Sequence, residues 1–173
     1  MHMLHLLRHA KSSWKKEVDD HERPLNRRGR EAARRVGQAL PATVGTLDLI
    51  LCSSARRTRE TMELVIAEFG ARPRSVLEDE LYEATKHELM SRLRRLPEDI
   101  GNVLLIGHNP GLHQLAMAIA DTDSAGFRAL SSVKYPTAAR ASFRVPGPWS
   151  AFGRSRCELV DYVTAESLRS DKD

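Results

Sequence analysis

Short apolar runs recur along this chain with helical periodicity between them, and each run ends on polar or charged residues. Residues 3–7 lead into Arg8 and His9, residues 47–52 into Ser53-Ser54, and residues 103–106 into Gly107-His108-Asn109-Pro110. A short, nearly continuous apolar run reads as a strand covered on both faces, as in a parallel sheet packed between helices. The sequence therefore predicts an α/β fold, a three-layer sandwich with a mostly parallel central sheet. Ligands of open α/β sheets bind beyond the carboxyl ends of the strands. This order delivers His9 and His108 to one sheet edge, and with arginines beside them the edge suits a phosphoryl group.

The stretches between the runs carry helix signals. Asn26 is a predicted N-cap for a helix over residues 27–40, whose apolar face is Ala32, Ala33, Val36, Ala39 and Leu40. Pro41 and Gly45 mark its end. Ser53 or Ser54 is predicted to cap a helix reaching residue 69, with the stripe Met62, Val65, Ile66 and Phe69, and Gly70 stops it. Residues 75–77 read as a third strand, residues 78–83 as an acidic loop and residues 86–96 as a helix. Asn109 is a predicted cap with Pro110 at the first helical position, for a helix running to residue 120. Residues 138–145 and 156–163 alternate like two antiparallel strands around Pro146-Gly147-Pro148. The expected organisation is one domain over residues 1–165 and a polar C-terminal tail over residues 166–173.

Composition narrows the function classes. The 173 residues are 41% hydrophobic and 29% charged, as in an ordinary globular protein. No apolar run nears the roughly 20 residues of a membrane span, and the N-terminus has no secretory pattern, so the cytoplasm is expected and a membrane partner is not. Cys52 and Cys157 make no disulfide framework, and Cys52 reads as a buried packing residue. The net charge is +4, but aromatics are only 5% and do not interleave with basic residues. Anionic substrates therefore fit the charge better than nucleic acid. No paired metal-ligand spacing exists, so neither a metal nor a cofactor is expected.

Each chemical candidate has an inert alternative. His9 can attack phosphorus if one ring nitrogen is unprotonated and the other donates to a backbone carbonyl; otherwise it is a surface or structural histidine. Arg8 offers a planar fork matched to phosphate oxygens. His108 precedes a helix N-terminus, where free N–H groups favour an anion, and Gly107 permits close backbone approach; otherwise it is a loop histidine that caps or packs. Arg57 falls on the first turn of a helix that follows a strand, whereas Arg56 and Arg59 read as solvated charges. The loop Asp79-Glu80-Leu81-Tyr82-Glu83 offers a general acid or is merely solvated, and spacing does not choose its carboxyl. His2, His5, His21 and His87 lack supporting context, and His113 reads as structural.

Taken in order, these pieces resemble the histidine phosphatase superfamily, with its phosphoglycerate mutase-like fold. Arg8-His9-Ala10 is similar to the family's Arg-His-Gly hallmark, and Ala10-Lys11-Ser12 resembles the SixA-type phosphohistidine phosphatases. Glu22-Arg23-Pro24-Leu25-Asn26 with Arg28-Gly29 resembles the family's Arg-Pro-Leu stretch. Residues 53–61 resemble its Ser-Pro-x-x-Arg-x-x-x-Thr helix start, with Ser54 where proline is usual. Residues 106–111 resemble its second-histidine segment. The resemblance implies a metal-independent phosphatase in which His9 becomes phosphorylated. Arg8, Arg57, His108 and N–H groups around Asn109 would hold the phosphoryl oxygens, with Ser12 and Arg23 at the pocket. It places a general acid, where one exists, on Glu80, then Glu83. It implies a phosphohistidine substrate in a signalling protein, such as a histidine phosphotransfer domain. The alternatives are a phosphatase of a small phosphate ester, a mutase, or a non-catalytic phosphoprotein-binding module. A mutase would need a lid that this length scarcely allows, and a pure binder would not need the nucleophile.

Overall fold

The computed structural model describes residues 1–15, 17–132 and 134–170. Strands β1 (His2–Arg8), β2 (Leu49–Ser53), β3 (Ser75–Glu78), β4 (Asn102–Gly107), β5 (Arg140–Val145) and β6 (Glu158–Val163) form one sheet in the order β3-β2-β4-β1-β5-β6. The first four run parallel; β5 pairs antiparallel with β1, and β6 antiparallel with β5. The helices are α1 (Arg27–Val44), α2 (Arg56–Ile66), α3 (Lys86–Arg94), α4 (Gly111–Ile119), α5 (Phe127–Ser132) and α6 (Ala165–Ser170).

Alternate side chains of the central strands enter two separate cores. Leu4, Leu6, Val103 and Leu105 pack with Leu89, Leu93, Leu112, Leu115 and Leu130, which come from α3, α4 and α5. Leu7, Leu104 and Ile106 pack with Ala33, Val36, Leu40, Met62 and Val65, which come from α1 and α2. Burial on both faces explains why these runs are apolar throughout rather than alternating. His5 interrupts β1 without penalty because Nδ1 meets Ser142 Oγ at 2.7 Å and Nε2 meets Asn102 Oδ1 at 2.8 Å.

Asn26 caps α1 as expected, accepting from the Gly29 N–H at 2.8 Å. Several boundaries differ from the sequence reading. Pro41 does not end α1; the helix continues to Val44, which it buries, and stops at Gly45, where φ is 69°. A proline in the last turn forfeits one N–H bond, and burying Val44 offsets that loss. The N-cap of α2 is Ala55, not a serine, and the helix ends at Ile66. Helix α4 begins at Gly111 after a cis Asn109–Pro110 bond, so Pro110 is not its first residue. Asn109 Oδ1 still accepts from the His113 N–H at 3.2 Å. The short α5 has no counterpart in the sequence reading, because Leu130 is its sole buried residue and too little periodicity results. The expected polar tail is helical through residue 170, with Ala165 and Leu168 packed on the core beneath α1; residues 171–173 lie outside the described residues. No helix among the described residues is long and apolar enough to cross a membrane.

Two glycines permit backbone contacts that join these layers. A Cβ on Gly29 would lie 2.0 Å from the Lys11 carbonyl oxygen, and one on Gly111 would lie 2.0 Å from that of Ala84. Both neighbours are main chain and have little room to yield. The core makes a direct prediction: Leu105→Ala, at a fully buried site on β4, should lower unfolding free energy by about 2–5 kcal/mol. Urea denaturation with an unchanged slope checks this; a loss well under 1 kcal/mol would show that the site can collapse.

Candidate active site

The carboxyl ends of β1, β2 and β4 meet at one edge of the sheet, where Arg8 pairs in register with Gly107. The His9 N–H donates to the Gly107 carbonyl at 3.1 Å, so the two histidine segments are tied by main chain. The His9 and His108 rings lie 5.3 Å apart between centroids and tilt by 54°. Both are buried, at 6% and 4% exposure. His9 Nδ1 lies 2.7 Å from the Ala10 carbonyl. That oxygen can only accept, so Nδ1 carries the proton and Nε2 keeps its lone pair. This is the tautomer a nucleophile requires.

His108 Nε2 is bonded to Ser53 Oγ at 2.8 Å, while its buried Nδ1 has no protein partner. Nδ1 is thus the atom left for a substrate oxygen. The sequence reading treated Ser53 only as a cap candidate. In the structure its hydroxyl also accepts from the Ala55 N–H at 3.3 Å, coupling the His108 ring to the start of α2.

Two guanidinium groups complete the pocket. Arg8 Nη1 donates to the Tyr135 carbonyl at 3.0 Å, which also accepts from Asn109 Nδ2 at 2.7 Å. The Tyr135 hydroxyl donates to the Leu6 carbonyl at 2.6 Å. Tyr135 therefore buttresses Arg8, and the Asn109 side chain is spent on structure. Arg57, at 4% exposure, donates to the Asp20 carbonyl at 2.8 Å and to Asp20 Oδ2 at 3.2 Å. The Thr61 hydroxyl donates to the Arg57 carbonyl and accepts from the Ala10 N–H at 3.0 Å, linking the loop after β1 to α2. Arg8 Nε and Arg57 Nε are buried without partners, so both arginines retain donor capacity.

Asp20 is the carboxylate that the sequence reading missed. It accepts from Arg57, from Arg23 Nε at 3.0 Å and from the Tyr82 hydroxyl. The Tyr82 ring stands edge-on to His108, with centroids 5.5 Å apart, and to His21 at 4.8 Å. The polar segment before α1 offered no periodicity that would have flagged Asp20 or His21. Glu80, by contrast, is held by Arg95 at 2.7 Å and Arg92 at 3.4 Å, toward α3. Neither its carboxyl nor that of Glu83 makes a hydrogen bond or ion pair with His9, His108, Arg8 or Arg57. Ser12 and Arg23 are joined at 2.8 Å and belong to the wall that Asp20 organises. Among the described residues no group of three or more His, Cys, Asp or Glu side chains could hold a metal.

Electrostatics follow from burial beside cations. Burial, then Arg8, Arg57 and Arg23, lower His9 to about 3, against the opposing pull of the Ala10 carbonyl. Burial, then His9, Arg57 and Arg8, lower His108 to about 3. Both imidazoles are neutral near pH 7. The Tyr82 hydroxyl, followed by Arg23 and Arg57, holds Asp20 down at about 2. Asp20 therefore stays ionised, while burial and Asp20 push Tyr82 up to about 12 and keep its proton in place.

Comparison with known proteins shows the family and the fold. Residues 4–100 match the histidine phosphatase superfamily (branch 1). Rv1276c, an uncharacterized protein of Mycobacterium tuberculosis H37Rv, is 33% identical over 159 residues, spanning 90% of this chain and 98% of that protein. A candidate phosphohistidine phosphatase SixA from Nakamurella multipartitia superposes with a TM-score of 0.81 and 28% identity, covering 94% of this chain and 95% of that one. Another from Agrobacterium tumefaciens gives 0.79 and 27%, covering 94% and 97%.

The buried imidazoles carry a stability signature. His5 is lowered to about 4, chiefly by burial, and joins His9 and His108 at about 3. An unfolded imidazole protonates near pH 6.5. Between that pH and these lower values the unfolded chain binds more protons, so stability is complete above about pH 6.5 and falls as pH drops. The thermal midpoint should decline below about pH 6, and His9→Asn/His108→Asn should flatten that decline. A flat wild-type profile from about pH 7 to 5 would sink the claim of neutral imidazoles.

Proposed function

The chain belongs to the histidine phosphatase superfamily, and from that membership we propose a phosphatase that works through a phosphohistidine on His9 and hydrolyses phosphohistidine in a signalling protein. The carrying observation is the adjacent pair of neutral imidazoles, His9 with a free Nε2 and His108 with a free Nδ1, in the field of Arg8 and Arg57. In the first step the His9 Nε2 lone pair attacks phosphorus and the bond to the substrate's imidazole nitrogen breaks. The leaving imidazole takes a proton from water. As Nε2 becomes phosphorylated, the Nδ1–H donating to the Ala10 carbonyl stabilises the cationic ring. In the second step water attacks phosphorus, the P–Nε2 bond breaks, and inorganic phosphate leaves with the water's proton.

Charge in such a transition state spreads over the equatorial oxygens. Arg8, Arg57 and His108 supply donors there with their positions already set by Tyr135, Asp20 and Ser53. Prior orientation of this kind is the larger part of electrostatic catalysis. The substrate class is favoured by the acids around the site. Asp20 is ionised and Glu80 is paired with arginines, so neither is a ready proton donor to an alkoxide. An imidazole leaving group needs no carboxylic acid, because solvent protonates it. This favours a phosphoramidate over a small ester, and the chemistry requires neither a metal nor a cofactor.

His9→Ala should abolish turnover of p-nitrophenyl phosphate and of a phosphohistidine peptide with the fold intact. Wild type incubated with radiolabelled substrate and quenched should carry an acid-labile, base-stable label. Arg57→Gln should lower kcat/KM by about 100-fold. Turnover surviving in His9→Ala would refute the assignment.

A further inference from the structure

We propose that a basic groove beside the phosphoryl pocket docks acidic residues flanking the phosphohistidine of a protein substrate, a proposal that rests on the reading above and extends it to the partner's chemistry. The groove holds about 830 Å³ and is lined by Lys11, Trp14, Lys15, Arg27, Arg28 and Arg30, among others. It starts at Ser12, whose hydroxyl accepts from Arg23. Arg23 binds Asp20, and Asp20 binds Arg57. One line of hydrogen bonds therefore forms the wall between groove and pocket, and a segment lying in the groove would be continuous with one that reaches His9.

Trp14 marks the rim. It is 78% exposed, and Arg23 Cζ lies over its ring, 3.5 Å from the centroid. That contact shields an arginine that is itself only 7% exposed. A large exposed aromatic is typical of interface anchors.

The cations are in excess. Arg27 pairs with Glu31 and Arg56 with Glu60, whereas Lys11, Lys15 and Arg28 have no ion pair among the described residues. Like charges kept together repel one another, and an acidic partner relieves that repulsion while steering its own approach. A bare phosphoryl group makes no use of this groove, since His9, His108, Arg8 and Arg57 already surround it.

The test uses two synthetic phosphohistidine peptides, identical except that the flanking residues are Asp and Glu in one and Lys and Arg in the other, with p-nitrophenyl phosphate as the small substrate. Wild type should favour the acidic peptide by about tenfold or more in kcat/KM, expressed through KM. Lys15→Glu/Arg28→Glu should erase or invert that preference while leaving p-nitrophenyl phosphate turnover within about twofold. Arg28 sits in the first turn of α1, where an acidic residue is favourable, so the fold should hold. Equal turnover of both peptides by wild type, or an undiminished preference in the variant, overturns the docking proposal and leaves the phosphohistidine reading standing. Hydrolysis of p-nitrophenyl phosphate with neither peptide turned over overturns the phosphohistidine reading itself, and this proposal with it.

Discussion

The parallel pairing of β1 with β4 is the contact on which the site rests. It sets Arg8 against Gly107 and continues one residue further, where the His9 N–H meets the Gly107 carbonyl. A register slip of one residue would turn every side chain of β1 to the opposite face and carry Leu4 and Leu6 out of their core. The same register that satisfies the two hydrophobic layers therefore fixes the separation of the two imidazoles. The geometry of the candidate site is a by-product of core packing at the strand ends, and the loops add polar struts to it.

Those struts share one physical task, which is to hold an excess of positive charge in a buried place. Arg8 lies below the usual guanidinium range because of burial and then the Arg57 charge. Neutral His9 and His108 avoid adding to that charge, and Asp20 partly offsets it while accepting from Arg57, Arg23 and Tyr82. The site is thus a buried concentration of positive charge braced by hydrogen bonds to carbonyls and one carboxylate. A dianionic phosphoryl group is the natural complement of such a charge. Its arrival would raise the affinity of both imidazoles for protons, so pocket charge and substrate charge are linked.

Much of this was legible in the sequence. Buried strands ending in Arg8-His9, Ser53 and Gly107-His108 announced a parallel sheet and the edge where these residues gather. The Asn26 cap and the small-residue face of α1 were also readable, because both signals are local. What escaped notice depends on distant partners. Asp20, His21 and Tyr135 sit in segments with no periodicity, and each acquires its role from a residue at least 33 positions away. Glu80 looked equivalent to its acidic neighbours until Arg92 and Arg95 of the helical segment after it claimed its carboxylate. Pro41 and Pro110 misled for the opposite reason: local propensity marked a boundary at each, and packing moved both.

The sequence by itself determined which side chains could do phosphoryl chemistry and that they fall at strand ends, since apolar patterning dictates the layers and the layers dictate the edge. Only the tertiary structure decided protonation and orientation. Those depend on which carbonyl faces His9 Nδ1, which hydroxyl meets His108, and how little water reaches either ring. Such quantities arise from burial and long-range contact, and no local stretch of chain encodes them.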